Sequence, residues 1–155
     1  GTTKDALSPR GLTPQVVTTG LPDLICPVAS REALFALQPD FNRIIDWSKR
    51  HNVISVHAVA IDPMDKANTA HCRDFSPAVA VPEEAATGTA SGATAGYLVL
   101  NGVISASPTA EIRLEQGVIL GRPSIIECKV TRSEDRLSVW VGGQAVTVLR
   151  GRLEF

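Results

Sequence analysis

Between Ala85 and Ala110 the sequence has no charged side chain. Other features are missing along the whole chain. No basic block stands out and the formal net charge is -1, which argues against a broad phosphate-binding face and a nucleic-acid partner. No uninterrupted apolar run is long enough to cross a bilayer as a helix, so no membrane role is expected. Cys26, Cys72 and Cys128 are odd in number, far apart and without a CxxC pair. A disulfide framework, a zinc site and a redox pair all lack their usual spacing. The expected state is reduced, mostly buried thiols in a cytoplasmic protein. No internal repeat is present, and no strand-GxSxG-helix arrangement suggests a serine hydrolase.

What remains suits one packed domain. The chain has 155 residues, 44% hydrophobic and 20% charged, enough apolar side chain for a core. It starts Gly-Thr-Thr-Lys, without an initiator Met or a signal pattern, as a trimmed, processed or excised chain would. Residues 1–14 carry Pro9, Pro14, Gly1 and Gly11 with little periodicity and read as a linker or loosely docked arm. Residues 15–155 are expected to form the domain. Gln15 to Thr18 and Leu24 to Val28 read as strands around the turn TGLPD. Ser30 can cap a short helix, and Pro39 opens a second, with Lys49, Arg50 and His51 at its C-terminal end, where cations suit the dipole. Val53 to Ile61 and Thr69 to Phe75 are expected strands, followed by a loop over Ala78 to Ala86. Three or four closing strands are expected, at Glu111 to Gln116, Ser124 to Thr131, Leu137 to Val141 and Gln144 to Phe155. Their short links imply antiparallel pairing.

The uncharged interval begins with Glu83-Glu84 and runs EEAATGTASGATAGYLVLNG to Gly102. Thr87 to Leu100 has helical length, and a helix without a charged face is normally enclosed on all sides. Gly88, Gly92 and Gly96 fall four apart and line one stripe, where other backbone could approach closely. Such glycines cost about 1 kcal/mol each against Ala, so tight enclosure is the expected compensation. A curved sheet around one thin helix meets the description. The head of that helix has free N–H groups that favour an anion, and Thr87-Gly88-Thr89 would supply hydroxyls and unobstructed amides. The alternative is that Thr87 or Thr89 merely caps the helix.

These stretches resemble a known family. TGLPDLICPV, CRDFSPAVAVPEEAATGTASGATAGYL, RLEQGVILGRPS and VGGQAVTVLRGRLEF, in this order, look like the second half of PhzF-like proteins. That family includes the phenazine-biosynthesis isomerase and has the diaminopimelate-epimerase-like fold. The resemblance implies an α+β fold in which an antiparallel barrel-like sheet wraps a central helix. It implies two such domains, with the active site in the cleft between the N-terminal ends of their central helices. It also implies acid–base proton transfer on a small carboxylic acid, without metal or organic cofactor. The first domain, with its catalytic carboxylate and GHxT-like motif, has no counterpart in this sequence. Where the family commonly reads Glu-Asp-Pro-x-Thr-Gly-Ser, this chain has Glu83-Glu84-Ala85-Ala86-Thr87-Gly88-Thr89. Glu84 therefore stands at the acidic position with a longer side chain, Ala85 replaces Pro, and Thr89 replaces Ser.

The resemblance makes Glu84 the candidate catalytic residue and Thr87, Gly88, Thr89, Gln116 and Gly117 the candidate substrate-binding residues. For Gln116-Gly117 a plain strand end and tight turn is the competing reading. His71 and Cys72 are neighbours on an expected strand and so point to opposite faces, which disfavours a shared metal site. Arg73 either pairs with an acid for structure or holds a carboxylate. Two functions compete. One is half of a PhzF-like isomerase or epimerase, its site completed by a missing first domain. The other is a non-catalytic module that binds a small carboxylate or pairs with a second copy of itself.

Overall fold

The computed structural model describes residues 11–134 and 136–154. Two short strands open the domain, β1 (Gln15–Thr18) and β2 (Pro22–Val28). Helix α1 (Arg31–Phe35) follows, its first turn closed by the Ser30 side chain, which accepts from Ala33 N. Helix α2 (Phe41–His51) is capped in the same way by Asp40. It stops at Asn52, whose left-handed backbone (φ 54°) ends the hydrogen-bond ladder. The remaining elements are β3 (Ser55–Ala60), β4 (Ala70–Ser76), a 3-10 turn at Pro77–Val79, β5 (Val81–Glu84), α3 (Gly88–Leu100), β6 (Thr109–Gln116), β7 (Ser124–Ser133) and β8 (Arg136–Gly142).

The strands form one sheet in the order β1-β2-β3-β4-β6-β7-β8, with β5 added on β4. β2 and β3 run parallel, as do β4 and β6, and all other pairs are antiparallel. The sheet is therefore mixed rather than wholly antiparallel, because the α1–α2 excursion and the passage through α3 are crossovers long enough to return the chain in the same direction.

The sheet curls around α3, which packs against β1, β2 and β3 on one side and β7 and β8 on the other. Every residue from Ala90 to Val99 is buried. This explains the missing charge: no side of the helix reaches water. Ile25, Val59, Cys72, Ile112, Leu114, Ile126, Cys128 and Val130 pack on Ala93, Tyr97 and Leu98 to form the inner core. Val28, Leu34, Ala58, Ala60 and Phe75 form a second core on the outer face, under α1. The helix ends as its sequence suggests. Asn101 is the C-cap and Gly102 takes φ 70°, so that Val103 N can donate back to Leu98 O.

Several expectations need correction. Gln144 to Glu154 forms no strand, although its alternating valines suggested one, and Phe155 lies outside the described residues. Among the described residues the segment has no neighbouring strand to pair with, and its side chains are exposed. The loop expected over Ala78 to Ala86 contains β5, hidden in the sequence by Pro82. That proline is tolerated because β5 is an edge that pairs with β4 alone. Among the described residues β1 and β8 end the strand order, so the curled sheet is an open half-barrel. Residues 1–10 of the expected arm lie outside the described residues. Leu12 is buried in the inner core, and Tyr97 Oη donates to Thr13 O at 2.8 Å, so this part of the arm is docked.

Candidate functional site

The candidate residues converge at the N-terminal end of α3. β5 carries Glu84 to within three residues of Thr87, the N-cap. Thr87 makes no side-chain capping bond. Its Oγ1 instead accepts from Gln116 Nε2 at 3.1 Å. The same Nε2 donates to Glu84 O at 2.8 Å, while Gln116 Oε1 accepts a long bond from Thr87 N at 3.4 Å. Gln116 is fully buried at the end of β6 and clamps the segment that leads into α3. Its amide suits this work, because one side chain can both donate and accept. The first-turn amides of α3 receive no side-chain cap, and Gly88 and Thr89 are exposed. Thr19 Oγ1, from the β1–β2 turn, donates to Thr89 O at 3.1 Å and fixes the helix from the other side.

Gly117 has a structural duty. Its φ is +82°, and a Cβ there would lie 2.3 Å from Arg122 O and 2.6 Å from Ala85 O. Only glycine lets the β6–β7 turn approach the chain before Thr87 this closely. Ser124 adds a bond from Oγ to Ala85 O at 2.8 Å. The EQG…GRPS motif thus braces the head of α3. Glu84 Oε1 accepts from Ala85 N at 2.8 Å, so this carboxylate is turned along its own chain.

Arg73 takes the structural role. Its Nε and Nη2 donate to the two carboxylate oxygens of Glu83 at 2.9 Å each, and its Nη1 donates to Leu34 O and Leu37 O, both at 3.0 Å. This side chain, 6% exposed, ties β5 to the C-terminal end of α1. His71 and Cys72 do point apart. His71 Nδ1 pairs with Glu115 Oε2 at 2.8 Å and its ring packs edge-on against Phe35, whereas Cys72 lies in the inner core. His51 is exposed at the end of α2.

One polar cluster was not read as such from the sequence. His57 Nδ1 and Asp74 Oδ1 are 3.0 Å apart on facing positions of β3 and β4, both fully buried. Ser76 Oγ donates to Asp74 Oδ2 at 2.8 Å, and Ser55 Oγ donates to Asp23 Oδ1 at 2.8 Å. Burial alone would depress the His57 pKa. The Cys72 sulfur and the Asp74 carboxylate outweigh it and hold the imidazole up at about 10. Burial would likewise raise Asp74, but hydrogen bonding and charge from His57, with help from Ser76, keep its carboxyl below the usual range. Asp23 is pushed up by burial against the pull of its Ser55 bond. Asp74 is also the register partner of Glu84, so the cluster lies directly beside the candidate acid. The available signal was period two: Cys72, Asp74 and Ser76 alternate with Arg73 and Phe75, which places Asp74 on the inward face.

The head of α3 is an open face. A cavity of about 480 Å³, lined by Cys26, Leu37, Ile44, Val56 and Phe75, lies instead between the helices and the outer face of the sheet. Among the described residues, no helix is long and apolar enough to cross a membrane.

Comparison with known proteins gives consistent results. The chain is 36% identical over 149 residues to an uncharacterised isomerase of Deinococcus radiodurans, covering 95% of this chain and 47% of the relative. It is 36% identical over 142 residues to a trans-2,3-dihydro-3-hydroxyanthranilate isomerase of Pseudomonas fluorescens, covering 90% of this chain and 45% of the relative. It thus spans about half the length of these two relatives. Among solved structures, a PhzF-family phenazine biosynthesis protein of Bacillus anthracis superposes with a TM-score of 0.74 at 23% identity, over 81% of this chain and 43% of that one. The likeness supports the fold of a sheet curled around one helix. A family model described as phenazine biosynthesis-like protein matches residues 1–151, and the chain belongs to that PhzC-PhzF family, whose relatives include isomerases.

Proposed function

We propose that this chain is the second half of a PhzF-like isomerase or epimerase and supplies one wall of a proton-transfer site. The observation that carries the reading is the uncapped, exposed head of α3 beside Glu84. Free amides at a helix head favour a carboxylate, and Thr87, Gly88 and Thr89 would receive it there. Gln116 and Gly117 act by holding that head in position. Glu84 is the acid–base group, sharing the proton with a carboxylate contributed across the cleft. The substrate class is a small carboxylic acid like the one in the Pseudomonas fluorescens relative's name. No metal and no organic cofactor is required for such a transfer.

To test this, the chain is combined with a separately produced first half, and trans-2,3-dihydro-3-hydroxyanthranilate is incubated in deuterated water. Deuterium should enter a ring carbon, and Glu84→Gln should slow its entry by about 100-fold or more. A properly formed complex that never exchanges would remove the catalytic reading. A second reading has its own support: Glu84 is turned onto Ala85 N rather than into the open face. In that case the chain binds a small carboxylate without transforming it. Carboxylate-induced shifts at the Gly88 and Thr89 amides, without deuterium uptake, would favour this reading.

A further inference from the structure

We infer, on the reading of Glu84 as the acid–base group, that Asp74 is its positioning residue: fixed by His57 and Ser76, it keeps the Glu84 carboxylate out of the interior and on the side of the open face. The two residues are Cα partners in the antiparallel β4–β5 pair. Side chains directly opposite in such a pair share a face, with Cβ atoms about 4.5–5.5 Å apart. The residue before each of them marks the other face, where Arg73 and Glu83 form their double hydrogen bond. Asp74 and Glu84 therefore stand side by side on the inner face, as two carboxylates whose like charge works against close approach.

Only one of the two is free to turn. Asp74 is fully buried, and both of its oxygens are engaged, Oδ1 with His57 Nδ1 at 3.0 Å and Oδ2 with Ser76 Oγ at 2.8 Å. Burial pushes its pKa up, but the His57 bond and charge and the Ser76 bond hold it below the usual carboxyl range, so it is ionised. An ionised carboxylate has no proton to donate, and Asp74 offers Glu84 repulsion without a bond. Glu84 is half-buried, and its backbone is held by the pairing with β4 and by Gln116 Nε2, which donates to Glu84 O at 2.8 Å. Its side-chain torsions are what remain, and they carry Oε1 to Ala85 N at 2.8 Å. The register shift between Asp74 and Ser76 adds to this aim, because a bulge redirects the side chains beside it. Turned this way, the carboxylate follows the chain toward Thr87 and the head of α3 instead of joining the buried cluster.

Asp74→Asn tests this, because its amide has almost the carboxylate's shape but carries N–H donors that would draw Glu84 inward. The Ala85 amide proton of the isotope-labelled chain reports where the Glu84 carboxylate lies. In Asp74→Asn it should move upfield, toward its position in Glu84→Ala, where the acceptor is gone. With the first half added, kcat for deuterium entry should fall about 10-fold or more while KM stays unchanged, since the head of α3 is untouched. That loss should vanish in a Glu84→Gln background, whereas a merely structural Asp74 would slow both backgrounds alike. If Asp74→Asn does not fold, Asp74→Ser leaves the His57 charge open to Glu84 and should move the Ala85 amide in the same direction. An Ala85 amide that stays in place in the folded variant would overturn the inference, as would an equal loss of rate in both backgrounds. A complex of unsubstituted halves that never exchanges would sink the proton-transfer reading alone, because the Ala85 amide still decides whether Asp74 positions Glu84.

Discussion

Gly117 and Gln116 separate two meanings of a site residue. Both stand in the motif that resembles the family, yet neither offers a reactive group to the open face. Gly117 lets two backbone oxygens approach, and Gln116 bridges β6 to the segment before α3. Adding one methyl in Gly117→Ala therefore meets both a positive φ and a backbone collision, and should destabilise the fold by about 2–5 kcal/mol in urea melts. Gln116→Ala leaves Glu84 O without this donor in a partly buried setting, which costs about 1–2 kcal/mol. It should also broaden the amide resonances of Thr87 to Thr89, because the head of α3 loses its brace. A variant with unchanged stability and sharp resonances would mean that the bridge is dispensable.

At the scale of elements, α3 was the most legible part of the chain. Its lack of charge required enclosure, and Asn101-Gly102 gave its end. The glycine stripe was read too generously. A Cβ at Gly92 would meet Val141 Cγ2 at 3.0 Å and Thr19 at 3.6 Å, so the close neighbours there are side chains rather than backbone. At Gly96 a Cβ meets nothing within 4 Å. Gly96→Ala should accordingly stabilise the protein by about 0.5–1 kcal/mol, the helix-propensity gain, in thermal or urea melts. Gly92→Leu should do the opposite, by forcing β8 and the β1–β2 turn away from α3. What could not be read was set by partners distant in sequence. VPEE became a strand only because β4 offered an edge. VTV in the closing segment had the strand pattern but no strand beside it among the described residues. The His57–Asp74 pair needed the β3–β4 register, which no local pattern specifies.

For the whole molecule, that buried pair makes stability depend on pH in a definite direction. His57 has its pKa raised from 6.5 to about 10. Its contribution is complete below 6.5 and is lost as the pH rises toward 10, since the unfolded chain gives up the proton first. Asp74 has its pKa lowered from 3.8, so its contribution is complete above 3.8 and is lost as the pH falls through the folded value. The pair therefore supports the fold most fully between about 4 and 6.5, and the melting temperature should decline from pH 7 to pH 10. His57→Gln should lower stability at pH 6 and flatten that alkaline decline, because the proton that links folding to pH is gone. Asp74→Asn should flatten it too, by removing the charge that holds the proton on His57. Cys26 and Cys128, pushed up from 9.0 to about 11 and about 12 by burial, add a decline of their own from about pH 9 upward, where the unfolded thiols ionise first, so the His57 contribution is read between pH 6.5 and about 8.5. An alkaline decline that persists unchanged in both variants would place the pH-sensing charge elsewhere, and would leave the pair beside Glu84 as packing alone.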